Sequence, residues 1–443
     1  MAREETPSKP VFETSVHYLL GEPASESGEG QLRLDSEAII LSPLMGTPIR
    51  VSLRDVLDVS RGDYSLAIRL PSGGPLVLTQ LGYRYEDCLR ELAARRGELL
   101  LGDLLMDEKL VEGGFRGEAA RTSSGGASEE LGPSELRLYE TGLVVLPPNG
   151  EPVRLRYATV LEVRPEEYAL RIGTSEGESW TFSKMGPRQA AFQRALGGAM
   201  AALVQRDEAL LKDMAPHADP LVIRRAARLM ADGRAASQAD VEAVSPDLWR
   251  ELDARVSACD DFGCYAHLKE LARPGRLRLG FKRGLMGEVT GEVIWILAPL
   301  FSSDPSAPGN AVALEAVAGD VAGKATYFFK LMDRRRYAGG LSLPQIETEA
   351  ERAMDALADA LAAVNFRREP LYLSEQALLR PEYRRYGFAV ERIAALRSAR
   401  SAFVGRVLHR DPEQWKRDVE TILRFNVTRD DETARWSAST PDD

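Results

Sequence analysis

Hydrophobic and polar positions alternate along short stretches in the first half of the chain. Residues 64–68 and 168–172 read Tyr-Ser-Leu-Ala-Ile and Tyr-Ala-Leu-Arg-Ile, and a period of two is typical of a strand with one buried face. Further short apolar runs, bounded by Gly and Pro, lie around these two. A helix is predicted next, at 83–96 and at 187–204, where Pro187 is a favoured first helical residue. The pattern predicts the same strands and helix twice.

The two sets of predicted elements are related by an internal repeat. Residues 31–92 align with residues 135–196 at a constant offset of 104, without a gap over 62 positions, and 18 of the pairs are identical. A repeat of this length indicates two copies of one folded domain, because the units of solenoid proteins are shorter. It also supplies an internal control, since a residue that serves both copies should occur in both.

Several antiparallel strands over about 60 residues, closed by a C-terminal helix, resemble the pleckstrin-homology-like (PH/GRAM-like) superfamily. The resemblance covers 31–96 and 135–204 and rests on the order of elements and on the repeat. It implies an α+β protein that contains tandem small antiparallel β-barrel or sandwich domains. A small barrel or split barrel of another family is the alternative. Members of the superfamily mostly act as binding platforms for proteins or lipids, and the resemblance implies the same here.

The rest of the chain divides by composition and by helix signals. Residues 113–132 are rich in Gly, Ser and Glu, which predicts a flexible linker. Asp-Pro and Ser-Pro pairs predict helix starts at 219–220, 245–246 and 411–412. The predicted organisation is a polar tail at 1–14, a first copy at 15–112, the linker at 113–132, a second copy at 133–204, a helical segment at 205–274, a mixed α/β unit at 275–366, a helical C-terminal region at 367–427 and a disordered tail at 428–443.

The mixed unit at 275–366 has two interpretations. Residues 276–279 echo residues 135–138 of the second copy, and residues 326–330 echo residues 181–184. These echoes favour a third, diverged copy of the domain, but they are short. A unit of unrelated fold is the other interpretation.

Composition narrows the class of protein. The chain of 443 residues is 44% hydrophobic and 28% charged, with a net charge of −10. A negative net charge disfavours nucleic-acid binding, which needs a basic face. Residues 1–10 lack the apolar core of a secretory signal, the longest apolar run at 293–301 is too short to span a bilayer, and three cysteines make no disulfide framework. A cytoplasmic location is therefore expected.

Three motifs resemble sites of chemistry, but each lacks a feature that its site requires. Residues 173–177 match the G-x-S-x-G elbow but fall in a predicted hairpin turn, and residues 319–326 resemble a phosphate loop that lacks one residue and its hydroxyl. Cys259, Cys264 and His267 form an incomplete ligand set for zinc. We predict no catalytic residue, no cofactor and no metal.

Basic residues are the best candidates for binding. Arg33 and Arg137, and likewise Arg50 and Arg154, occupy equivalent strand positions of the two copies. An outward arginine can bind a carboxylate or phosphate through two hydrogen bonds, whereas a cross-strand pair with an acidic residue is the structural alternative. The mixed unit adds further basic candidates in two predicted loops: Lys282, Arg283, Arg334, Arg335 and Arg336.

The sequence leaves three functional hypotheses. The first is a non-enzymatic scaffold or adaptor that binds protein partners through the tandem domains. The second is a peripheral membrane protein that touches anionic lipid weakly through the basic loops of the mixed unit. Residues 35–37 and 139–141, interpreted as the first hairpin loops, are acidic or neutral and disfavour lipid headgroups there. The third is an enzyme with an unrecognised site in 205–426.

Overall fold

The structure, a computed structural model, describes residues 12–21, 26–71, 74–286, 289–317 and 325–437. Its fold is α+β, as predicted. The chain divides into two compact units. The first takes in the chain up to Asp103 together with Lys109–Gly197, and the second takes in Leu104–Glu108 together with everything from Gly198 onward.

The first unit consists of two seven-stranded antiparallel sheets, each followed by a helix. The first sheet contains β1 (Phe12–Leu20), β2 (Glu26–Leu34), β3 (Ala38–Pro43), β4 (Ile49–Ser52), β5 (Asp58–Gly62), β6 (Ser65–Arg69) and β7 (Leu76–Thr79), followed by α1 (Tyr85–Asp103). The second contains β8 (Leu110–Thr122), β9 (Ser128–Tyr139), β10 (Gly142–Leu146), β11 (Val153–Arg156), β12 (Val160–Pro165), β13 (Ala169–Thr174) and β14 (Ser179–Ser183). It is followed by α2 (Gln189–Met214), whose residues from Gly198 onward belong to the second unit. The strand orders are β4-β3-β2-β1-β7-β6-β5 and β11-β10-β9-β8-β14-β13-β12.

The offset of 104 holds in the backbone of the two copies. Strands β4 and β11 begin and end at equivalent residues, and helices α1 and α2 begin at equivalent residues. The left-handed backbone also repeats, with φ of 58° at Gln80 and 55° at Lys184. Tyr64 and Tyr168 lie in the same turn, between β5 and β6 in one copy and between β12 and β13 in the other. Buried faces are preserved because the alignment has no slip in register.

The predicted linker at 113–132 is wrong. These residues lie mostly in β8 and β9, which pair along their length as the first hairpin of the second sheet. Its glycines give shape to the hairpin: Gly114 and Gly132 have φ of 75° and 69° next to shifts in the β8–β9 register, and such conformations favour glycine. Gly126, with φ of 82°, lies in the tight turn at 123–127.

The hairpin changes two further predictions. The first copy begins at Phe12, whose buried side chain belongs to the core of the first sheet, so residues 12–14 are part of a strand and not of a polar tail. In the second copy the first hairpin loop is therefore 123–127, and the loops at 35–37 and 139–141 are the second ones of their copies. Residues 22–25, like residues 1–11, lie outside the described part of the chain.

The second unit is a six-stranded antiparallel sheet covered by helices. Its strands are β15 (Ala236–Ser237), β16 (Arg278–Met286), β17 (Val289–Leu300), β18 (Ala311–Val317), β19 (Ala325–Lys330) and β20 (Phe403–Leu408), paired in sequential order. Its helices are α3 (Pro220–Leu229), α4 (Gln238–Val244), α5 (Pro246–Ala258), α6 (Cys264–Leu271), α7 (Arg334–Ala338), α8 (Leu343–Ala363), α9 (Glu369–Tyr372), α10 (Glu375–Leu378), α11 (Arg384–Arg392), α12 (Ala394–Ala402) and α13 (Pro412–Thr428).

The sheet order excludes a third copy at 275–366. In both N-terminal copies the first strand lies between the second and the seventh, whereas β15 to β20 simply follow one another. The edge strand β20 comes from 403–408, inside the region predicted to be helical. The short echoes between 276–279 and 135–138 reflect the shared strand pattern, which does not specify topology.

Alternating side chains of this sheet form two cores. Ile294, Ile296 and Ala298 on β17 pack with α3 to α6 and α13, while Trp295 and Leu297 pack with α8 to α12. The period of two therefore buries both faces, as expected for a sheet covered by helices on each side.

The predicted disordered tail at 428–443 is packed as far as residue 437. The Trp436 backbone N–H donates to Val404 O at 2.8 Å, and Glu432 forms an ion pair with Lys330 at 3.1 Å. Because apolar and charged partners fix it, this segment has the contacts of a folded element. Residues 438–443 lie outside the described part of the chain.

None of the described helices combines the length and the apolar character that a bilayer crossing requires.

Candidate functional site

The outer edge strands of the two N-terminal sheets carry exposed hydrophobic residues in both copies. Leu57, just before β5, is 43% exposed, and Leu161, at a register shift in β12, is 72% exposed. Tyr64 and Tyr168, in the turn that follows each edge strand, are 77% and 75% exposed. Identical exposed residues at equivalent positions satisfy the internal control that the repeat provides. They mark the β5 and β12 edges as candidate interaction surfaces.

The β5 edge is occupied by a loop of the second copy. The side-chain amide of Asn149 accepts a hydrogen bond from Val59 N–H at 3.1 Å and donates one to Val59 O at 3.4 Å. In α1, Arg96 donates to Val56 O at 3.1 Å and to Gly150 O at 2.5 Å. A loop of the second copy therefore binds the backbone groups of the β5 edge.

The equivalent edge of the second copy is not paired with another strand in the described part of the chain. Val163 pairs with Ile172 in the register in which Val59 pairs with Ile68, so its N–H and C=O face outward as those of Val59 do. No strand among the described residues pairs with the outer side of β12. The bulge at Leu161 and the terminal Pro165 limit how long a strand could add there.

A cleft of about 810 Å³ lies between the copies within the first unit. Its walls combine apolar side chains such as Leu146 with several cations. Lys184 pairs with Glu118 at 2.7 Å and Arg137 with Glu135 at 2.6 Å, and all four line the cleft. The cleft thus presents a mixed, partly neutralised surface rather than a concentrated anion site.

The four arginines shared by the copies lie beside polar or acidic residues. Arg33 stands opposite Glu13 in the β1–β2 register. The other three are close to Asp35 (3.3 Å from Arg50), Glu98 (2.7 Å from Arg137) and the Thr141 hydroxyl (2.5 Å from Arg154). Of the four, only the Arg33–Glu13 pair is cross-strand, because Asp35 and Thr141 lie in turns and Glu98 lies on α1. The structure does not bring the four arginines into one site, and their binding role stays a prediction.

The basic residues of the second unit do not form exposed loops. Lys282 is buried in β16, where it pairs with Asp232 and lies 5.1 Å from the centre of the Phe366 ring. Arg283 pairs with Asp213 at 2.7 Å and also with Glu292. The prediction of a basic loop at 281–284 is therefore wrong, because the segment is a strand whose charges are neutralised.

The run Arg334–Arg336 is only partly exposed. Arg334 is buried, donating to Asn426 Oδ1 at 3.1 Å and to Ala434 O at 3.0 Å, and burial lowers the pKa of its guanidinium. Arg335 is exposed, and Arg336 pairs with Glu349 at 2.7 Å. Of the three side chains, that of Arg334 holds the C-terminal segment in place.

A second candidate site, which sequence analysis missed, lies beneath α6 and α13. Its members are Cys264, Glu315 and His409, whose sulfur, oxygen and nitrogen atoms lie within 4.8 Å of one another. His409 Nε2 is 3.4 Å from Cys264 Sγ and 3.1 Å from both Glu315 Oε2 and Thr326 Oγ1. Cys264 and Glu315 are each 1% exposed.

Local structure places each member. Asp260 caps the start of α6 by accepting from Gly263 N at 3.1 Å and Tyr265 N at 2.8 Å, which positions Cys264. Glu315 takes an inward position of β18, in line with Ala313 on the same core. His409 follows β20, and the Phe262 ring stacks on it at 4.8 Å between centroids.

The chemistry of this cluster does not favour nucleophilic catalysis. Burial raises the pKa of the Cys264 thiol, and the nearby charges of Glu315 and Asp260 raise it further. A protonated thiol is a poor nucleophile. Thiol and carboxylate also approach the same ring nitrogen of His409, whereas a triad uses both nitrogens. Sulfur, imidazole and carboxylate are, however, ligands of transition metals.

None of the three sequence motifs forms a site of chemistry in the described part of the chain. Residues 173–177 form the β13–β14 turn, in which Gly177 has φ of 77°, in agreement with the turn interpretation. Of residues 319–326, only Ala325 and Thr326 are described. Cys259 and His267 do not join Cys264 in the described ligand cluster. One signal in the sequence pointed to Glu315: a single charge in the otherwise apolar run Ala311–Val317.

Comparisons with known proteins add little. No protein-family model matches the chain, and no curated protein matches it. Among solved structures, the Spt16D Pob3N heterodimer is similar over 38% of this chain and 85% of its own, with 10% identity and a TM-score of 0.16. A likeness of that size carries no argument about function.

Proposed function

We propose that the chain is a cytoplasmic protein-binding scaffold, that its two N-terminal domains are pleckstrin-homology-like, and that the open β12 edge docks a loop of a different protein. The domain assignment is supported by two seven-stranded antiparallel sheets of one topology, each followed by a helix. The same topology in tandem suits a platform whose two copies serve different contacts.

A single observation carries the proposal: the β5 edge binds a polypeptide loop, and the equivalent β12 edge is open. Asn149 binds both backbone groups of Val59, and Val163 presents the same groups at the same register. Leu161 and Tyr168 flank this position with exposed apolar surface. The edge therefore offers hydrogen bonds and an apolar contact to a short loop that carries an amide side chain.

The bulge sets the form of the partner segment. A long strand would meet the irregular backbone at Leu161 and the missing donor of Pro165. A turn such as 147–150 needs only one residue's pair of backbone groups, as the occupied edge shows. We infer that the partner supplies a turn.

Site-specific photo-crosslinking in the native cell tests the proposal. The photoreactive residue p-benzoylphenylalanine replaces Leu161 in the tagged full chain, and a matched control places it at Leu57. Adducts with one or a few proteins are expected from position 161, with much less from position 57, because Asn149 already occupies the β5 edge.

A charge substitution makes the test quantitative. Burying an exposed leucine stabilises a complex by about 1.5–3 kcal/mol, so Leu161→Asp should weaken partner binding by roughly ten- to a hundredfold. Leu57→Asp is the control and should change binding little. Absence of adducts from 161, equal adducts from both positions, or an adduct with a second copy of this chain would each contradict the proposal.

The two other hypotheses receive less support. Ion pairs neutralise Lys282, Arg283 and Arg336, which removes much of the charge that membrane contact relies on. Within 205–426, the cluster of Cys264, Glu315 and His409 lacks the arrangement of a nucleophilic triad.

A further inference from the structure

His409 Nε2 is the point on which the cluster in the second unit converges. It is within 3.4 Å of a sulfur, Cys264 Sγ, and of two oxygens, Glu315 Oε2 and Thr326 Oγ1. One imidazole nitrogen has a single hydrogen or a single lone pair, so it satisfies one of these neighbours by a hydrogen bond. A sulfur, a nitrogen and a carboxylate oxygen within 4.8 Å of one another also form a set of ligands that can hold a cation.

Two of the three ligand separations are close to those between ligands of a tetrahedral zinc ion. Bonds of about 2.0–2.3 Å from zinc to oxygen, nitrogen and sulfur imply ligand atoms about 3.3–3.7 Å apart. The observed separations are 3.4 Å from His409 Nε2 to Cys264 Sγ and 3.1 Å from the same nitrogen to Glu315 Oε2. Shifts of a few tenths of an ångström would admit the ion.

We propose that Cys264, Glu315 and His409 bind one zinc ion. Sulfur, imidazole and carboxylate together favour zinc over magnesium or calcium, which prefer oxygen alone. The charge of a divalent cation balances a thiolate and a carboxylate in a site where both side chains are 1% exposed.

The surroundings supply the outer support that metal sites require. Thr326 donates to Glu315 Oε2 and accepts from the Trp415 indole N–H at 3.0 Å, which fixes the carboxylate. The Ala316 N–H donates to Glu315 Oε1 at 2.8 Å. Phe262 holds the His409 ring by stacking. Such contacts orient metal ligands and raise affinity.

The ion would join three distant parts of the chain. Cys264 opens α6, Glu315 lies on β18 and His409 follows β20. Zinc bound by all three would tie α6 and the segment before α13 to the sheet, so the second unit should depend on it for stability.

Elemental analysis of the full chain, purified without chelators or metal-affinity resin, tests the site. We expect about one zinc per chain in the wild type, and a loss to background in Cys264→Ser and His409→Gln. Cys259→Ser is the matched control, since this cysteine is near in sequence but outside the ligand cluster, and it should retain the metal.

Cobalt substitution of the wild type gives a second readout that needs no folded variant. A thiolate-to-cobalt charge-transfer band is expected and should persist in Cys259→Ser. Wild-type chain that takes up no zinc from an equimolar supply, or a cobalt complex that lacks the thiolate band, would overturn the proposal. So would Cys264→Ser and His409→Gln proteins that are folded and hold as much zinc as the wild type.

Discussion

The buried carboxyl of Asp207 should make the second unit less stable as the pH rises. Asp207 lies on α2 and accepts a hydrogen bond from Asp232 N–H at 2.9 Å. Burial raises the pKa of Asp207 to about 6, and the Asp232 charge adds to the rise, while Arg206 and Lys282 oppose it. Above this pKa, Asp207 is a second buried carboxylate, next to Asp232, and the two share a single lysine, Lys282.

The sign follows from linkage. The folded state binds a proton that the unfolded state, with an aspartate pKa near 3.9, has already released between about pH 4 and 6. Stability therefore falls as the pH rises through this window. A shift of about two pKa units corresponds to about 3 kcal/mol, all of it lost once the pH exceeds about 7.

Asp207→Asn removes this loss. The asparagine Oδ1 can still accept from Asp232 N–H, and the side chain carries no charge. The variant should be more stable than the wild type by about 1–3 kcal/mol at pH 7.5 and equal to it near pH 4. Asp213→Asn, on the same helix but 59% exposed at the side chain, should change stability by less than about 0.5 kcal/mol.

Urea unfolding followed by tryptophan fluorescence measures the difference. Four of the five tryptophans lie in the second unit, namely Trp249, Trp295, Trp415 and Trp436. The fluorescence therefore reports mainly on the unfolding of this unit. If Asp207→Asn destabilises the protein at pH 7.5 but not at pH 4, the ionised carboxylate is a net stabilising partner of Lys282, and the reasoning fails.

Two further predictions follow from the contacts of the second unit. Gly280→Ala should destabilise the protein by about 3 kcal/mol or more, because the added methyl overlaps the Trp295 indole and breaks its hydrogen bond to the backbone. Gly291→Ala, with open space around it, is the control, and equal melting temperatures would refute the reasoning. Co-sedimentation at physiological salt should show no binding to anionic vesicles, since the basic residues at 282–283 and 334–336 are largely paired or buried; tight, salt-sensitive binding would restore the membrane hypothesis.

Helix starts could be predicted from local signals in the sequence. The predicted helix starts at Asp219, Ser245 and Asp411 are confirmed, and each side chain accepts a hydrogen bond from a backbone N–H of the first turn. Such caps depend on four or five neighbouring residues, so sequence alone reveals them. The register of the repeat is likewise visible because a gapless offset leaves no freedom in the pairing.

Predictions that depended on composition or on distant contacts failed. Residues 113–132 have the Gly and Ser content of a linker, yet their glycines serve a turn and two irregularities in a hairpin. The candidate metal ligands Cys264, Glu315 and His409 lie 51 and 94 residues apart along the chain. Only the topology of the sheet brings them together, so a search for ligands at close spacing along the sequence does not find them.

Divergence between the copies also bears on which protein fills the open edge. The residue equivalent to Asn149 in the first copy is Met45, which is 91% exposed. A second copy of this chain that offered its own 43–46 loop to β12 would bring a thioether, which cannot form the two hydrogen bonds that the Asn149 amide forms with Val59. The N–H and C=O of Val163 would then be covered without partners, at a cost of about 1–3 kcal/mol for each group. Self-association through this edge is therefore disfavoured, and a loop with an amide side chain, from another protein, matches it better.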